Sequence, residues 1–320
     1  MMYTEAAGLR LSKLALGTVQ LGLDYGVANR TGRPDRATAT AILDLAAASG
    51  VNTLDTAPAY GASEAILGEF LASHPDAFGG EPPVVVTKLS ALELDDEPTP
   101  QAVHDAVRVE LERSARRLGL SPLPVCLMHH AADMTRHGGL VAEGLVRARD
   151  EGLVERVGVS VYTPAEVERF LAVGAFDAIQ VPVNLFDQRL VEGGHLERLA
   201  ERGTVVFVRS VFLQGLFFLE PEAVPPHVAV ARAPLGQLRA LAAEWGRPIA
   251  ELAVAFVRDL PGITSLVIGV ETAAQLAANL RLMACPPLPA EARAAIRARF
   301  AGLPEALVNP ATWDRRKAAR

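Results

Sequence analysis

The 320-residue chain has only two cysteines, Cys126 and Cys285, and neither belongs to a C-x-x-C pair. A disulfide framework and a cysteine zinc site are therefore excluded, no metal site is expected, and the expected setting is reducing. No stretch approaches the ~20 uninterrupted apolar residues that a bilayer needs, and residues 1–13 lack the apolar centre of a signal sequence. The protein is expected to be soluble and cytoplasmic, without a membrane partner. Basic residues are in the minority, 31 Lys and Arg against 37 Asp and Glu, giving a formal net charge of −6. With no long basic stripe, the electrostatic attraction that drives nucleic-acid binding is missing. No G-x-G-x-x-G follows the first apolar run, which removes the main support for a Rossmann domain. Neither a repeat of fixed period nor an abrupt linker-like change in composition divides the chain.

Apolar material, in contrast, is plentiful: 50% of residues are hydrophobic and 21% charged, which suits a large buried core and excludes general disorder. Eight short β-branched or apolar runs occupy 14–18, 52–56, 84–88, 125–130, 156–161, 178–183, 205–210 and 265–270. Most are continuous runs, the form taken by parallel strands covered on both faces. Amphipathic segments such as 36–49, 63–73, 101–118, 139–151, 164–173, 195–202 and 234–245 lie between them. This alternation predicts an α/β fold, and eight units predict closure into a (β/α)8 TIM barrel formed as one domain of residues 1–320. Residues 1–13, with Gly8 at their centre, predict an N-terminal β-hairpin at the barrel bottom. The basic end, 313–320, predicts a frayed tail. Gly50, Gly119, Gly152, Gly174 and Gly203 each fit the left-handed position after a helix. Ser63 with Glu64, and Thr163 with Pro164, read as helix N-caps with first-turn residues.

A barrel carries its active site at the C-terminal ends of its strands, so the informative residues are the polar ones that end apolar runs. Asp55, Lys88 and His129 do so on three successive predicted strands, and Tyr60 follows Asp55 by five positions. An ammonium beside a phenol favours the phenolate and is expected to lower its pKa from ~10, while a carboxylate keeps the ammonium charged and oriented. Period-two alternation puts Val125, Leu127 and His129 on one face and Cys126, Met128 and His130 on the other. Only one of the two histidines points into the mouth, and spacing alone leaves the choice open.

The run Asp55-Thr-Ala-Pro-Ala-Tyr60-Gly61-x-Ser63-Glu64-x-x-Leu67-Gly68, with Val86-Thr-Lys88 and Leu127-Met-His129 downstream, resembles the aldo-keto reductases. The similarity continues through Gly152-Leu-Val-Glu-Arg-Val-Gly-Val-Ser160, Gln180 with Asn184, Arg209-Ser210-x-x-x-Gln-Gly215, and Gly269-Val-Glu-Thr272-x-x-Gln275-x-x-x-Asn279. It spans nearly the whole chain in order. It implies hydride transfer between NAD(H) or NADP(H) and a small carbonyl compound or alcohol. Tyr60 is implied as general acid/base, Lys88 and Asp55 as its tuning pair, and His129 as the residue orienting the substrate carbonyl.

The resemblance also implies cofactor contacts at Gly17 and Thr18 on the first strand end. Asp55, Ser160 and Gln180 are implied around the nicotinamide amide, Ser210, Leu213 and Gly215 near the pyrophosphate, and Gln275 and Asn279 near the adenosine. Two positions depart from the pattern: Val161 replaces an amide-binding Asn, and Arg209 replaces an aromatic ring that stacks on the nicotinamide. Guanidinium groups also stack. In the last βα loop, where many members hold the NADP 2′-phosphate with Lys and Arg, this chain has Gly269, Glu271 and Gln275, with Arg281 two positions past Asn279. A dianionic phosphate meets a carboxylate there and no cation, so NADP recognition is doubtful. Asp24 and Tyr25, in a turn-rich insertion with Gly26, Asn29, Gly32 and Pro34, are candidate substrate contacts, and Phe212, Phe217 and Phe218 a candidate apolar wall. Two other readings fit the same barrel: a cofactor-binding regulatory or accessory protein with little turnover, and a lyase or isomerase with transient redox chemistry.

Overall fold

Strand and helix alternate through residues 1–313, the part of the chain that the structure, a computed structural model, describes. Strands β1 (Tyr3–Ala6) and β2 (Leu9–Ser12) form an antiparallel hairpin. The next eight are β3 (Leu14–Gly17), β4 (Thr53–Asp55), β5 (Val84–Leu89), β6 (Leu123–Met128), β7 (Val154–Ser160), β8 (Ala178–Pro182), β9 (Val205–Arg209) and β10 (Ser265–Gly269). They pair in parallel, each with the next, and β10 returns to β3 to close a (β/α)8 TIM barrel. Every predicted run overlaps one barrel strand, and β5, β6 and β7 extend beyond theirs by one or two residues.

Both faces of these strands are buried, which is why they read as unbroken apolar runs. Val86, Val125, Leu127, Ala178, Val205 and Phe207 point inward and pack together. Their alternates Val85, Cys126, Met128, Ile179, Val206 and Val208 point outward against the helices. Leu9 and Leu11 of the hairpin join the inner cluster, and Arg156 Nε donates to Ala7 O at 2.8 Å near the start of β7. The hairpin therefore plugs the N-terminal end of the barrel and leaves the opposite rim to the loops.

The five expected helix-ending glycines all have φ between +68° and +78°. Thr163 forms a capping box with Glu166 at the start of helix Pro164–Val173. Ser63 is a correction. The N-cap of helix Ser63–Ser73 is Ala62, with no side-chain bond, because the Ser63 hydroxyl turns inward to Thr18 O at 3.0 Å and to the Thr18 and Thr56 hydroxyls at 2.6 and 2.9 Å. Helices Ile249–Arg258, Ala273–Leu282 and Ala290–Phe300 were not among the predicted segments. The first is ten residues long with only two charged residues, Glu251 and Arg258, so its apolar run reads as readily as a strand, and the other two are alanine-rich with a weak apolar stripe. Trp313, expected to begin a frayed tail, is 6% exposed and donates its indole N–H to Ala306 O at 3.0 Å. The rest of that expected tail, 314–320, lies outside the described residues. Among the described residues no helix is long and apolar enough to cross a membrane.

Candidate active site

β4 and β5 are neighbours in register, with Asp55 opposite Val86. Lys88, two residues beyond Val86, keeps the inward orientation. Its side chain is 1% exposed, and its ammonium donates to Asp55 Oδ1 at 2.8 Å, Asp55 Oδ2 at 3.1 Å and Thr56 O at 2.9 Å. Gln180 Nε2, from β8, donates to the same Asp55 Oδ1 at 2.7 Å, and Ser160 Oγ lies 3.4 Å from Gln180 Oε1. A polar chain of Ser160, Gln180, Asp55 and Lys88 thus crosses the mouth from β7 to β5. Because the central ion pair is buried, deleting one partner would strand a charge, at about 3–5 kcal/mol.

Tyr60 sits above this pair, its ring centroid 4.7 Å from Lys88 Nζ. The loop that holds it depends on two glycines. A Cβ on Gly22 would fall 1.7 Å from Tyr60 O, and one on Gly61, whose φ is +60°, would fall 2.6 Å from Gly22 O. Removing two side chains lets the segments after β3 and β4 touch backbone to backbone. His129 shares the inward parity of Val125 and Leu127, and its ring meets that of Tyr60 edge-on with centroids 5.8 Å apart. This resolves the choice of histidine. His130 is exposed and stacks on His129 at 5.1 Å.

The electrostatics follow from burial and neighbours. Burial alone would neutralise Lys88, but Asp55 and the Tyr60 phenolate oppose it, and the net effect raises its pKa so that the ammonium persists. For Tyr60 the expected direction is reversed. Burial is the largest influence and raises the phenol above its ordinary value, while the opposing charge of Lys88 is weaker and Asp55 adds to the rise. Tyr60 is therefore a protonated donor at neutral pH. His129 is driven down to about 3, first by burial and then by the charges of Lys88, His130 and Arg209. Its imidazole is neutral.

The other predicted residues gather around the same rim with different degrees of engagement. Gly17 lies opposite both Gly269 and Asp55. Thr18 is fully buried, and its hydroxyl donates to Asp55 O at 2.8 Å, so its side chain serves the loop. After β9, Ser210, Leu213, Gln214 and Gly215 have φ values of +64°, +48°, +55° and +84°. Left-handed non-glycine residues cost about 1–3 kcal/mol each and concentrate at ligand clamps. The Leu213 side chain is buried, and Val27 N donates to Gln214 O at 3.2 Å, tying the insertion after β3 to this loop. Thr272 and Gln275 form a capping box for helix Ala273–Leu282, with Gln275 Oε1 accepting from Glu271 N and Thr272 N. Asn279 is 8% exposed and Arg281 is exposed. Tyr25 is 36% exposed overall, yet its hydroxyl is pushed up to about 12, first by burial and then by Tyr60, with Arg209 opposing. Asp24 is exposed. Phe217 is core, packed on Phe186 at 4.8 Å, whereas Phe212 and Phe218 pair at 5.1 Å with Phe218 half exposed.

Two residues at the rim escaped the sequence reading. Gln20 is 9% exposed, its Oε1 has no hydrogen-bond partner among the described residues, and a Cβ on Gly269 would fall 2.1 Å from that oxygen. Tyr162 lies under the Arg209 guanidinium at 4.0 Å. Both stand just past strand ends, at β3 and β7, which is the signal that could have found them.

The closed (β/α)8 barrel carries its buried polar network at the C-terminal rim, where barrel enzymes have their active sites. The Aldo/keto reductase family model matches residues 13–299, and the chain belongs to that family. It is accordingly an NAD(P)-dependent oxidoreductase. The chain is 26% identical over 299 residues to aldo-keto reductase YhdN of Bacillus subtilis, covering 87% of each. It is 27% identical to D-threo-aldose 1-dehydrogenase of a Pseudomonas species, covering 86% of this chain and 90% of that one. Among solved structures, an aldo-keto reductase from Bacillus halodurans in its holo form superposes with a TM-score of 0.73 at 22% identity, covering 98% of this chain and 100% of that chain. The glycerol dehydrogenase from Gluconobacter oxydans gives 0.71 at 24% identity, covering 94% and 95%. At those identities the two structures speak for the fold alone.

Proposed function

We propose that the protein interconverts small aldehydes or ketones and their alcohols with NAD(H), using Tyr60 as general acid/base. The observation that carries this reading is the buried Lys88–Asp55 pair set against the Tyr60 ring, with the neutral His129 edge-on to the same ring. The cofactor, when bound, supplies or accepts the hydride. Addition of hydride to a carbonyl carbon builds negative charge on its oxygen. The Tyr60 O–H, kept protonated by burial, donates its proton there. Lys88 stabilises the phenolate that remains, and Asp55 holds the ammonium in place through two of its three hydrogen bonds. The imidazole N–H of His129 donates to the same carbonyl oxygen and orients it. In the oxidative direction the phenolate takes the alcohol proton. Asp24 and Tyr25 are proposed as substrate contacts, on the loop tied to Gln214.

The residues suit a nicotinamide dinucleotide. Gln20 Oε1 is a buried acceptor without a donor among the described residues, against Gly269, which pairs with Gly17, and the left-handed run at Ser210 and Leu213–Gly215 supports a phosphate-holding loop. Arg209 is proposed to flank the nicotinamide side of this site. At the adenosine end, Gly269, Gln275 and Asn279 accompany a carboxylate, Glu271, and no cation falls between 269 and 279. NADH is therefore expected to bind at least as tightly as NADPH in a fluorescence titration at fixed salt, whereas tighter, strongly salt-dependent NADPH binding would contradict this. With NADH and benzaldehyde, one NADH is expected to be oxidised per aldehyde reduced over many enzyme equivalents. NADH binding without consumption of any of a panel of aldehydes and ketones would favour an accessory, cofactor-binding role instead.

A further inference from the structure

Lys88 and Asp55 cancel each other, which leaves Arg209, at the end of β9, as a fixed charge at the rim. Arg209 Nη2 donates to Val161 O at 2.8 Å, Nη1 lies 3.4 Å from Ser210 Oγ, and the guanidinium plane rests on Tyr162 at 4.0 Å. Three of its five N–H groups have no protein acceptor among the described residues. Nor does any described carboxylate lie within 4.0 Å, whereas Arg117, Arg149, Arg189, Arg239 and Arg258, all partly or fully shielded, each have one. A half-buried guanidinium held rigidly by stacking, with donors free and no counter-ion, is built to receive an anion. Its charge reaches the phenols of Tyr60 and Tyr25, where it weakly opposes the rise that burial causes, and the imidazole of His129, where it adds to the fall. At the end of β9, on the same rim as Tyr60 and His129, it faces the mouth in which the proposed substrate carbonyl would sit. Asp24, exposed on the neighbouring insertion, makes no ion pair among the described residues and does not neutralise it.

We propose that Arg209 is a specificity-determining residue that selects carbonyl substrates bearing a carboxylate or phosphate, by binding that anion beside Tyr25 and Tyr162. This rests on the carbonyl-reductase reading above and names the substrate class for it. The same charge–charge chemistry could serve an anionic group of the cofactor, and the test separates the two sources. Wild type, Arg209→Gln and Arg209→Lys are assayed with 4-carboxybenzaldehyde and with benzaldehyde at saturating NADH and constant ionic strength. Anything Arg209 does for the cofactor is common to both aldehydes and cancels in the ratio of their kcat/KM values. The ratio, carboxylated over neutral, is expected to fall on the order of 10- to 100-fold in Arg209→Gln, the size of a charge-assisted hydrogen-bonded contact, and to fall less in Arg209→Lys. An unchanged ratio, with both aldehydes losing equally and the NADH Kd rising, assigns the guanidinium to the cofactor and overturns the proposal. Calorimetric titration of benzoate into each folded protein with NADH present needs no turnover. Binding is expected in wild type and to weaken about tenfold or more in Arg209→Gln, while equal binding, or none in wild type, overturns the proposal even if neither aldehyde is reduced. A protein that reduces no aldehyde yet binds benzoate through Arg209 would refute the carbonyl-reductase reading and leave the anion site standing.

Discussion

His129 shows how one residue's surroundings become a measurable property. Its imidazole is held down to about 3, against an ordinary value of 6.5, by burial first and then by Lys88, His130 and Arg209. Between those two values the unfolded chain binds a proton that the folded chain refuses, so this contribution to stability is complete above pH 6.5 and is lost as pH falls towards about 3. His129→Asn is expected to lose less thermal stability than wild type over that interval, as read by melting temperatures at stepped pH. Parallel slopes for the two proteins would show that His129 is not held neutral. Tyr60 teaches a different lesson. Its neighbours were readable from spacing, and the sign of each pairwise charge effect was right, but the cost of burying a phenolate is a property of the packed mouth and reversed the net direction. Burial at a strand end is not written in the residues adjacent to it. Gln20 and Tyr162 were missed for a related reason, since a side chain beyond a strand end looks like any loop residue until the loop is folded.

At the scale of elements, the site depends on how closely the loops after β3 and β4 approach. Gly22→Ala would put a methyl group 1.7 Å from Tyr60 O and 2.7 Å from Ser63 N, both backbone atoms that cannot rotate away. The Tyr60 segment must then move by about an ångström, a displacement that typically costs about 100-fold in rate. The expectation is a fall in kcat of that order with NADH affinity retained. Gly236→Ala serves as control, because its added Cβ meets nothing within 4 Å and its φ is not left-handed. Wild-type kcat in Gly22→Ala would remove this glycine contact from the positioning of Tyr60. Barrel strands were the most legible elements because burial on both faces leaves an uninterrupted apolar signature. Helix Ile249–Arg258 was hidden because its short run, charged only at Glu251 and Arg258, reads as readily as a buried strand. Ser63 was misread as a cap because its position at a helix start fits two uses of a hydroxyl, outward to the helix backbone or inward to Thr18 and Thr56.

At the scale of the whole molecule, the barrel separates stability from chemistry. Leu9 and Leu11 plug the lower end against Val125, Val205 and Phe207, while β4, β5, β6, β7 and β8 each send one polar side chain, or its loop, to the upper rim. Residues 33 to 125 positions apart in sequence thereby become hydrogen-bond partners, Asp55 with Lys88 and Asp55 with Gln180. That convergence was inferable from eight alternating units. The identity of the substrate was not, because it depends on loop side chains such as Tyr25 and Arg209 whose meeting no periodicity encodes. The most direct test of the account is single-turnover oxidation of enzyme-bound NADH by benzaldehyde in wild type and Tyr60→Phe. The predicted result is a loss of 100- to 10,000-fold in the rate, roughly the contribution of a positioned general acid, with the NADH Kd within about threefold of wild type, since the cofactor is held by other residues. Hydride transfer in Tyr60→Phe at the wild-type rate would contradict it.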